Sequence, residues 1–357
     1  MATFHTLSVK DIYKETDDCS VITFNVPSEL ETEFRFRQGQ HLTLKADING
    51  EDVRRSYSLC SGPVDGEWKV AVKKILGGKF SSFVNDSLQA GDTLEVMAPS
   101  GTFGVEVSPE KAKNYLFFAA GSGITPVLSM VKAHLASEPN STCKLFYVNK
   151  TAKSIIFKEE LEQLRNQYFG RFEIYYFLTK ERRDIELFNG RFDDEKMAVL
   201  SKTFIDIPDT DEVFLCGPEK MVEFVSNYLV EAGLPKDLIH FELFVKGLSD
   251  EDIARQERLA KQNVEGTEVV IVDGGKEFEF TMTKEYDNIL DAALGAGAYL
   301  PFACKGGVCS TCKCEVLEGA VEMKINYALD DKEVSQNLVL SCQAVPTTDR
   351  VKVDFDV

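Results

Sequence analysis

The chain has 357 residues, enough for two or three domains, with 44% hydrophobic residues and no apolar run near the roughly 18 residues that cross a membrane. Its formal net charge of −18 argues against nucleic acid or an anionic membrane as partner. Nine cysteines in a long chain without a signal-peptide pattern argue against a secreted disulfide scaffold and point to the reducing cytoplasm.

Residues 1–107 read as short strands broken by turns. Val21–Val26 ends at Pro27, residues 40–45 alternate polar and apolar, Trp68–Ile75 is strand-like, and Asp92–Met97 closes on Pro99. Strands at this spacing predict an antiparallel barrel. Two motifs stand out: Arg55-Ser56-Tyr57-Ser58, after the Asn49-Gly50 turn, and the stretch from Lys73 to Gly77-Gly78-Lys79-Phe80-Ser81. An aromatic ring such as Tyr57 can lie flat on an isoalloxazine, and an arginine fork such as Arg55 can clamp a pyrophosphate. The glycine pair precedes a helix predicted over 81–88, whose first amides would face the same phosphate. Taken singly, each motif is also what an ordinary strand edge or turn looks like.

From about residue 110 the texture changes to alternating strand and helix. Tyr115–Ala120, Lys144–Val148, Phe172–Phe177 and Val213–Cys216 are strand-like. Helices are predicted at Val127–Leu135, at Phe157–Gln167 with Phe157, Leu161 and Leu164 on one face, and over 219–232. This pattern predicts a doubly wound α/β domain with a parallel sheet. The first strand feeds Gly121-Ser122-Gly123-Ile124-Thr125-Pro126. Its glycines permit close backbone approach, and a proline in the first helical turn wastes no donor. The second strand ends in Asn149-Lys150-Thr151-Ala152-Lys153-Ser154, with two lysines and no acid. Basic residues here favour a 2′-phosphate, hence NADPH over NADH. Arg182 and Arg183 suit either a phosphate contact or a solvated surface pair.

Residues 245–263 read as a partly helical linker, with Gly247, Ser249 and Asp250 ahead of a helix over Glu251–Lys261. Beyond it, strands Glu268–Val272 and Glu277–Thr281 flank the hairpin signal Asp273-Gly274-Gly275. Asp287 is the expected cap of a helix over 288–297, and Lys313–Leu317 and Leu338–Leu340 are strand-like. Between them lies Cys304-Lys305-Gly306-Gly307-Val308-Cys309-Ser310-Thr311-Cys312, with 29 residues separating Cys312 from Cys342. C-x4-C-x2-C followed by a distant cysteine is the ligand spacing of a plant-type [2Fe-2S] cluster. Zinc sites more usually show paired C-x2-C knuckles, and only one such pair occurs here. Gly306, Gly307, Ser310 and Thr311 are small, which lets backbone amides approach the sulfurs. Cys314 is expected to point away as a packed thiol, and Cys19, Cys60, Cys143 and Cys216 are scattered. Residues 264–357 hold 17 acidic and 8 basic residues, a net of −9, which suits both simple solubility and an acidic docking face. The four histidines form neither a Glu-x-x-His nor a Rieske pattern, so any oxygen chemistry belongs to another polypeptide.

In this order the motifs resemble the ferredoxin–NADP reductase superfamily, in particular the reductase components of multicomponent oxygenases. The resemblance covers nearly the whole chain. It implies an antiparallel FAD-binding β-barrel over 1–107, a doubly wound NADP-binding α/β domain over 108–244, the linker 245–263, and a β-grasp [2Fe-2S] ferredoxin domain over 264–357. It assigns Arg55, Tyr57, Ser58, Lys73, Gly77, Gly78, Phe80 and Ser81 to FAD. Gly121, Gly123, Thr125, Pro126, Lys150, Gly217 and Pro218 go to NADPH, and Cys304, Cys309, Cys312 and Cys342 to the metal. Cys216-Gly217-Pro218 resembles the strand end where nicotinamide meets flavin, with Cys216 near C4 of that ring. His240–Phe244 resembles the family's Glu-x-Phe ending, which makes Phe244 a cover on the flavin's other face and puts Glu242 beside it. Asn149-Lys150-Thr151, Ser154–Leu161 and Ala303–Cys312 are similar to the reductases of bacterial phenylacetyl-CoA epoxidases. The implied path runs from NADPH through FAD and the cluster to a multi-subunit, di-iron oxygenase, with neither nucleic acid nor membrane as partner. Reductases of steroid hydroxylases share the domain order, and a flavin and iron–sulfur redox sensor is the reading from another class. Two departures from the family stand out: Lys150 where arginine is frequent, and the strong acidity of the chain.

Overall fold

Alternating apolar positions build the first sheet. In a computed structural model that describes residues 3–244, 250–262 and 264–357, it has six strands: β1 (Phe4–Thr16), β2 (Cys19–Asn25), β3 (His41–Ile48), β4 (Glu51–Ser58), β5 (Trp68–Lys73) and β6 (Thr93–Met97). They run in the order β4-β3-β6-β1-β2-β5. An isolated bridge between Leu59, just past β4, and Val70 of β5 joins the two edges, so the sheet closes as a barrel. Ile22, Phe24, Leu42, Leu44, Val70, Val72, Leu94 and Val96 fill its interior. β1 is a strand that the sequence reading lacks. Its register shifts at Val9/Asp11 and Lys14/Thr16 break the two-residue period by which a strand is recognised. Helix α1 (Lys79–Asp86) begins two residues before the predicted start, because Gly78 takes the extended N-cap position.

The second layer comprises β7 (Asn114–Ala120), α2 (Ile124–Ser137), β8 (Thr142–Asn149), α3 (Lys158–Gln167), β9 (Phe172–Leu178), α4 (Asp194–Thr203), β10 (Glu212–Cys216), α5 (Glu219–Glu231) and β11 (Ile239–Glu242). Its strands are parallel, in the order β11-β10-β7-β8-β9. Alternation along β7 explains the two covered faces. Tyr115, Phe117 and Ala119 pack with Val127, Val131 and Leu161 of α2 and α3, whereas Leu116 and Phe118 pack with Met197, Leu200, Val222 and Val225 of α4 and α5. The α2/α3 side is continuous with barrel residues Cys19, Val21, Ala71 and Phe103. Helix α4 went unread because its buried stripe is short, with Val199 exposed beside Met197 and Leu200. Phe157 is not the first residue of α3 but its N-cap. Its φ of 60° stops the helix there, and Glu15 accepts its amide at 2.8 Å.

These elements form one compact unit, His5–Val53 with Tyr57–Phe244, and the other is mainly the described residues that follow. The latter holds α6 (Asp250–Leu259), β12 (Glu268–Asp273), β13 (Lys276–Thr281), α7 (Ile289–Gly295), β14 (Lys313–Glu318), β15 (Val321–Met323), α8 (Asp331–Ser335), β16 (Leu338–Leu340), β17 (Ala344–Pro346) and β18 (Arg350–Asp354). The predicted turn residues Gly247 and Ser249 lie outside the described residues. The main sheet runs β13-β12-β18-β14-β16, with β12 and β18 parallel and its other pairs antiparallel. α7 buries Ile289, Leu290 and Ala293 against Val269, Ile271, Val351 and Val353, the arrangement of a β-grasp. β18 sits at the centre of the sheet although it is nearly last in the chain, and the sequence reading lacks it. The α7 cap is Asn288, not Asp287: Asn288 has the extended backbone and its side chain accepts the Asp291 amide at 2.9 Å. Asp287 pairs with Lys324 at 2.6 Å instead. Helix α6 belongs to this unit, through buried Leu259 and the Arg258–Glu322 pair. Among the described residues, no helix is long and apolar enough to cross a membrane.

Candidate functional site

The strand order of the parallel sheet reverses between β7 and β10, and in open α/β sheets ligands enter at that crevice. The Gly121–Gly123 turn follows β7 and Cys216-Gly217-Pro218 follows β10. They interlock. A Cβ on Gly123 would lie 2.1 Å from the Cys216 carbonyl oxygen, and one on Gly217 would lie 2.8 Å from Met221 Cε and 3.0 Å from Ala120 Cβ. Gly121 has φ 54°, its carbonyl accepts the Tyr147 hydroxyl at 2.9 Å, and a Cβ there would meet nothing within 4 Å. One side of the turn is therefore packed shut while the other is open. Thr125 is buried, donates to the Ser122 carbonyl at 3.0 Å, and with Pro126 forms the first turn of α2. Pro218 is the N-cap of α5. Tyr147, which the sequence reading passed over, is the pin that holds Gly121.

Three predicted residues from distant positions meet beside this crevice. Ser58, the last residue of β4, donates to Glu242 Oε2 at 3.3 Å. Glu242, the last residue of β11, stands opposite Cys216 in the β10–β11 register. The Cys216 thiol is 0% exposed, which contradicts its expected place at a ring surface: β10 turns it into the core. Burial first, and the Glu242 charge second, push this thiol well above its ordinary range. Phe244, two residues on, is exposed.

On the barrel, Arg55 stands on β4 and is exposed, while Tyr57 is half-buried with its ring 5.8 Å from that of Phe80. Phe80 is 1% exposed, so it backs Tyr57 from the core rather than offering a surface of its own. Lys73 ends β5 and pairs with Asp18 at 3.5 Å. Gly77 takes φ 75°, and a Cβ on Gly78 would stand 2.5 Å from Ser81 Oγ. Ser81 is buried and its hydroxyl accepts the Ile75 amide at 3.1 Å, so it closes this loop. Hydrogen bonding within α1 starts with the Ser82 amide on the Gly78 carbonyl at 3.0 Å, so the preceding first-turn amides point out of the helix end, as anion binding requires. Lys150 and Lys153 are exposed after β8. Among them stands an acid that the sequence reading did not connect: Glu181 accepts the Ala152 amide at 2.8 Å. Arg183 donates to the Tyr176 carbonyl at 2.8 Å, and Arg182 is 87% exposed, so the first is structural and the second solvated.

In the second unit the four cysteine thiols come as two pairs. The Cys304 and Cys309 thiols lie next to each other, as do those of Cys312 and Cys342, close enough for each to influence its partner's ionisation. Among the described residues no three metal-ligating side chains are grouped to hold a single ion. Two pairs are what a binuclear centre asks for, two thiolates to each iron. The Gly306 amide donates to Cys304 Sγ at 3.2 Å, and amides of Val308, Thr311 and Gly307 reach the sulfurs of Cys304, Cys309 and Cys342. Cys304 and Cys309 are half-buried while Cys312 and Cys342 are buried, so the first pair forms the outer edge. Cys314 is buried in the core, as expected.

Three family models match the chain: an oxidoreductase FAD-binding domain over residues 6–104, an oxidoreductase NAD-binding domain over 117–227, and a 2Fe-2S iron-sulfur cluster binding domain over 271–347. The chain is 43% identical to a component of the 1,2-phenylacetyl-CoA epoxidase of Escherichia coli (strain K12), over 100% of this chain and 99% of the relative. It belongs to the ferredoxin–NADP reductase superfamily, among the reductase components of oxygenases. This oxygenase reductase is also 33% identical to the ferredoxin reductase component of 3-ketosteroid-9-alpha-monooxygenase from Rhodococcus rhodochrous, over 98% of this chain and 96% of that one. A solved phthalate dioxygenase reductase shares its fold, with TM-score 0.59 and 23% identity over 99% of this chain and 98% of that chain. The reductase is thus an oxidoreductase built on FAD-binding, NAD(P)-binding and [2Fe-2S] domains for electron transfer. Its residues suit these groups. The open flank of Gly121 suits a pyrophosphate, the outward amides of α1 a second one, and the paired thiols with their amides a binuclear cluster.

Proposed function

We propose that this reductase carries electrons from NADPH to a multi-subunit, di-iron oxygenase of the phenylacetyl-CoA epoxidase type. The observation that carries this reading is the end-to-end likeness to the Escherichia coli epoxidase component. When bound, FAD would supply a two-electron hydride acceptor able to give up electrons one at a time, and a [2Fe-2S] cluster a one-electron carrier. The chain's own residues do the placing. Gly121, Gly123, Thr125, Pro126, Gly217 and Pro218 shape the nicotinamide crevice. Arg55, Tyr57, Lys73, Gly77, Gly78 and Ser81 receive the flavin, with Phe80 behind Tyr57. Ser58 and Glu242 fix a polar point where flavin and nicotinamide meet, Phe244 covers the flavin, and Cys216 packs behind that point. Cys304, Cys309, Cys312 and Cys342 hold the iron. Exposed Lys150 and Lys153 support NADPH as the donor, since the carboxylate of Glu181 is engaged by the Ala152 amide.

The same reading divides the chain into a flavin domain over 1–107, a nucleotide domain over 108–244, a linker over 245–263 and a ferredoxin domain over 264–357. It places the protein in the cytoplasm, where five cysteines beyond the four ligands stay reduced. The test is reconstitution of the purified holoprotein with the oxygenase subunits of a phenylacetyl-CoA epoxidase, scored as NADPH-dependent product formation. Turnover supports the reading. Failure there, together with turnover of a ketosteroid monooxygenase component, transfers the assignment to the second relative. NADPH-dependent cytochrome c reduction separates either from a redox sensor, which would bind a regulator without sustained turnover.

A further inference from the structure

One side-chain amide ties the fourth cysteine to the loop that carries the other three. Gln343 is 6% exposed, and its Nε2 donates to the Lys305 carbonyl at 2.9 Å and to Cys342 Sγ at 3.7 Å. Both partners are acceptors, so the NH₂ end of the amide is the one that must face them. Its stem packs against the loop as well, since a Cβ on Gly307 would be 3.4 Å from Gln343 Cγ. The loop needs such support. Lys305 and Ser310 hold φ of 52° and 51° without being glycine, a conformation that costs energy for any residue with a Cβ. Gln343 is itself held in place, its backbone carbonyl accepting the Lys324 backbone amide at 2.9 Å.

We propose that Gln343 is a positioning residue that sets the reduction potential of the [2Fe-2S] centre, by donating to the Cys342 sulfur from a place fixed by the Lys305 carbonyl. Reduction adds negative charge that the sulfurs share, and a donor aimed at a sulfur stabilises that charge. Removing the donor makes the centre harder to reduce and weakens its pull on electrons held by the flavin. The inference rests on the reading of Cys342 as an iron ligand.

The experiment is a spectroelectrochemical titration of the holoprotein and of two variants, Gln343→Leu and Gln343→Glu, with the flavin midpoint of each sample as internal standard. In Gln343→Leu the cluster midpoint moves to more negative potential while the flavin midpoint stays. The equilibrium constant for moving an electron from flavin to cluster falls about two- to tenfold, the worth of one hydrogen bond. Gln343→Glu, which keeps the shape but replaces a donor by a carboxylate, moves it further in the same direction. Unchanged cluster midpoints in both variants overturn the proposal. So does loss of the cluster from both with NADPH-dependent flavin reduction intact, since Gln343 would then be required for assembly and not for tuning. Cys342→Ser tests the underlying reading by itself. An unaltered cluster spectrum and iron content there would remove Cys342 from the ligand set, whatever the Gln343 variants do.

Discussion

Gly123 and Cys216 sit so close that no side chain fits between them: a Cβ on Gly123 would stand 2.1 Å from the Cys216 carbonyl oxygen. The obstacle is backbone, which cannot swing aside as a side chain can. Gly123→Ala should therefore displace either the α2 turn or the end of β10, at a cost of about 1–3 kcal/mol by comparison with other overpacked sites. Anaerobic stopped-flow should show flavin reduction by NADPH slowed at least about tenfold. The [2Fe-2S] spectrum, reporting on the other unit, should not change.

The hydrogen bond from Ser58 to Glu242 predicts a second effect. Ser58→Ala removes the donor and leaves the carboxylate, and Glu242→Gln keeps the shape and removes the charge. Each should slow NADPH-dependent flavin reduction by roughly tenfold, the scale of one charge-assisted hydrogen bond, and the double variant should be much less than additive. Full additivity would mean that the two side chains act independently.

Cys309 belongs to the more exposed thiol pair, next to Cys304. Cys309→Ala should lose the cluster, measured as iron content and the electron paramagnetic signal of the reduced protein. NADPH-to-ferricyanide activity through the flavin should remain, while support of the oxygenase falls to background. Retained oxygenase turnover in this variant would sink the proposed path.

The donor preference has its own test at Lys150, an exposed residue just after β8. Lys150→Glu should raise the KM for NADPH about tenfold or more while leaving that for NADH nearly unchanged, because only NADPH carries the 2′-phosphate. Equal effects on both nucleotides would remove Lys150 from the phosphate site.

A buried carboxylate away from the redox site should contribute to acid stability. Glu138 is 0% exposed, accepts from Tyr115 and Ser141 at 2.9 Å each, and lies 3.3 Å from His134 Nδ1 in an electrostatic contact rather than an aligned hydrogen bond. Burial alone would raise its pKa. The His134 contact and the hydrogen bonds from Ser141 and Tyr115 more than offset that, and bring it to about 2 from the ordinary 4.5. Because the folded value is the lower one, the stabilisation is fully present above about pH 4.5 and is lost as the pH falls toward 2, roughly 3 kcal/mol in all. Trp68, the single tryptophan, lies on β5 in the same unit and reports the unfolding by fluorescence. Glu138→Gln should flatten the loss of stability across that window.

Much of the candidate site could be proposed from the sequence because its residues stand at short spacings. C-x4-C-x2-C confines three candidate ligands to one loop whatever the rest of the chain does, and a glycine turn after a buried strand is a local pattern that proposes a phosphate site. Alternating strand and helix likewise dictated a parallel sheet, and a run of short strands a barrel. The misses are of another kind. Asn288 rather than Asp287 caps α7, Phe157 caps α3 rather than starting it, and Phe80 and Cys216 turn inward. Each was decided by which of two similar neighbours, or which face of a strand, the packed core would accept.

Contacts across long loops were never in the sequence pattern at all. Ser58 meets Glu242 over a separation of 184 residues, and Gln343 reaches Lys305 over 38. Neither pair has a local signature, because their approach follows from which strands pair in their sheets: β11 beside β10 in one, β16 beside β14 in the other. By itself, then, the sequence determined which chemistry this protein carries, since ligand type and short spacing are local properties. Only the tertiary structure decided which distant side chains meet, Ser58 with Glu242 and Gln343 with Lys305, since a hydrogen bond between distant residues exists only once the sheets have closed.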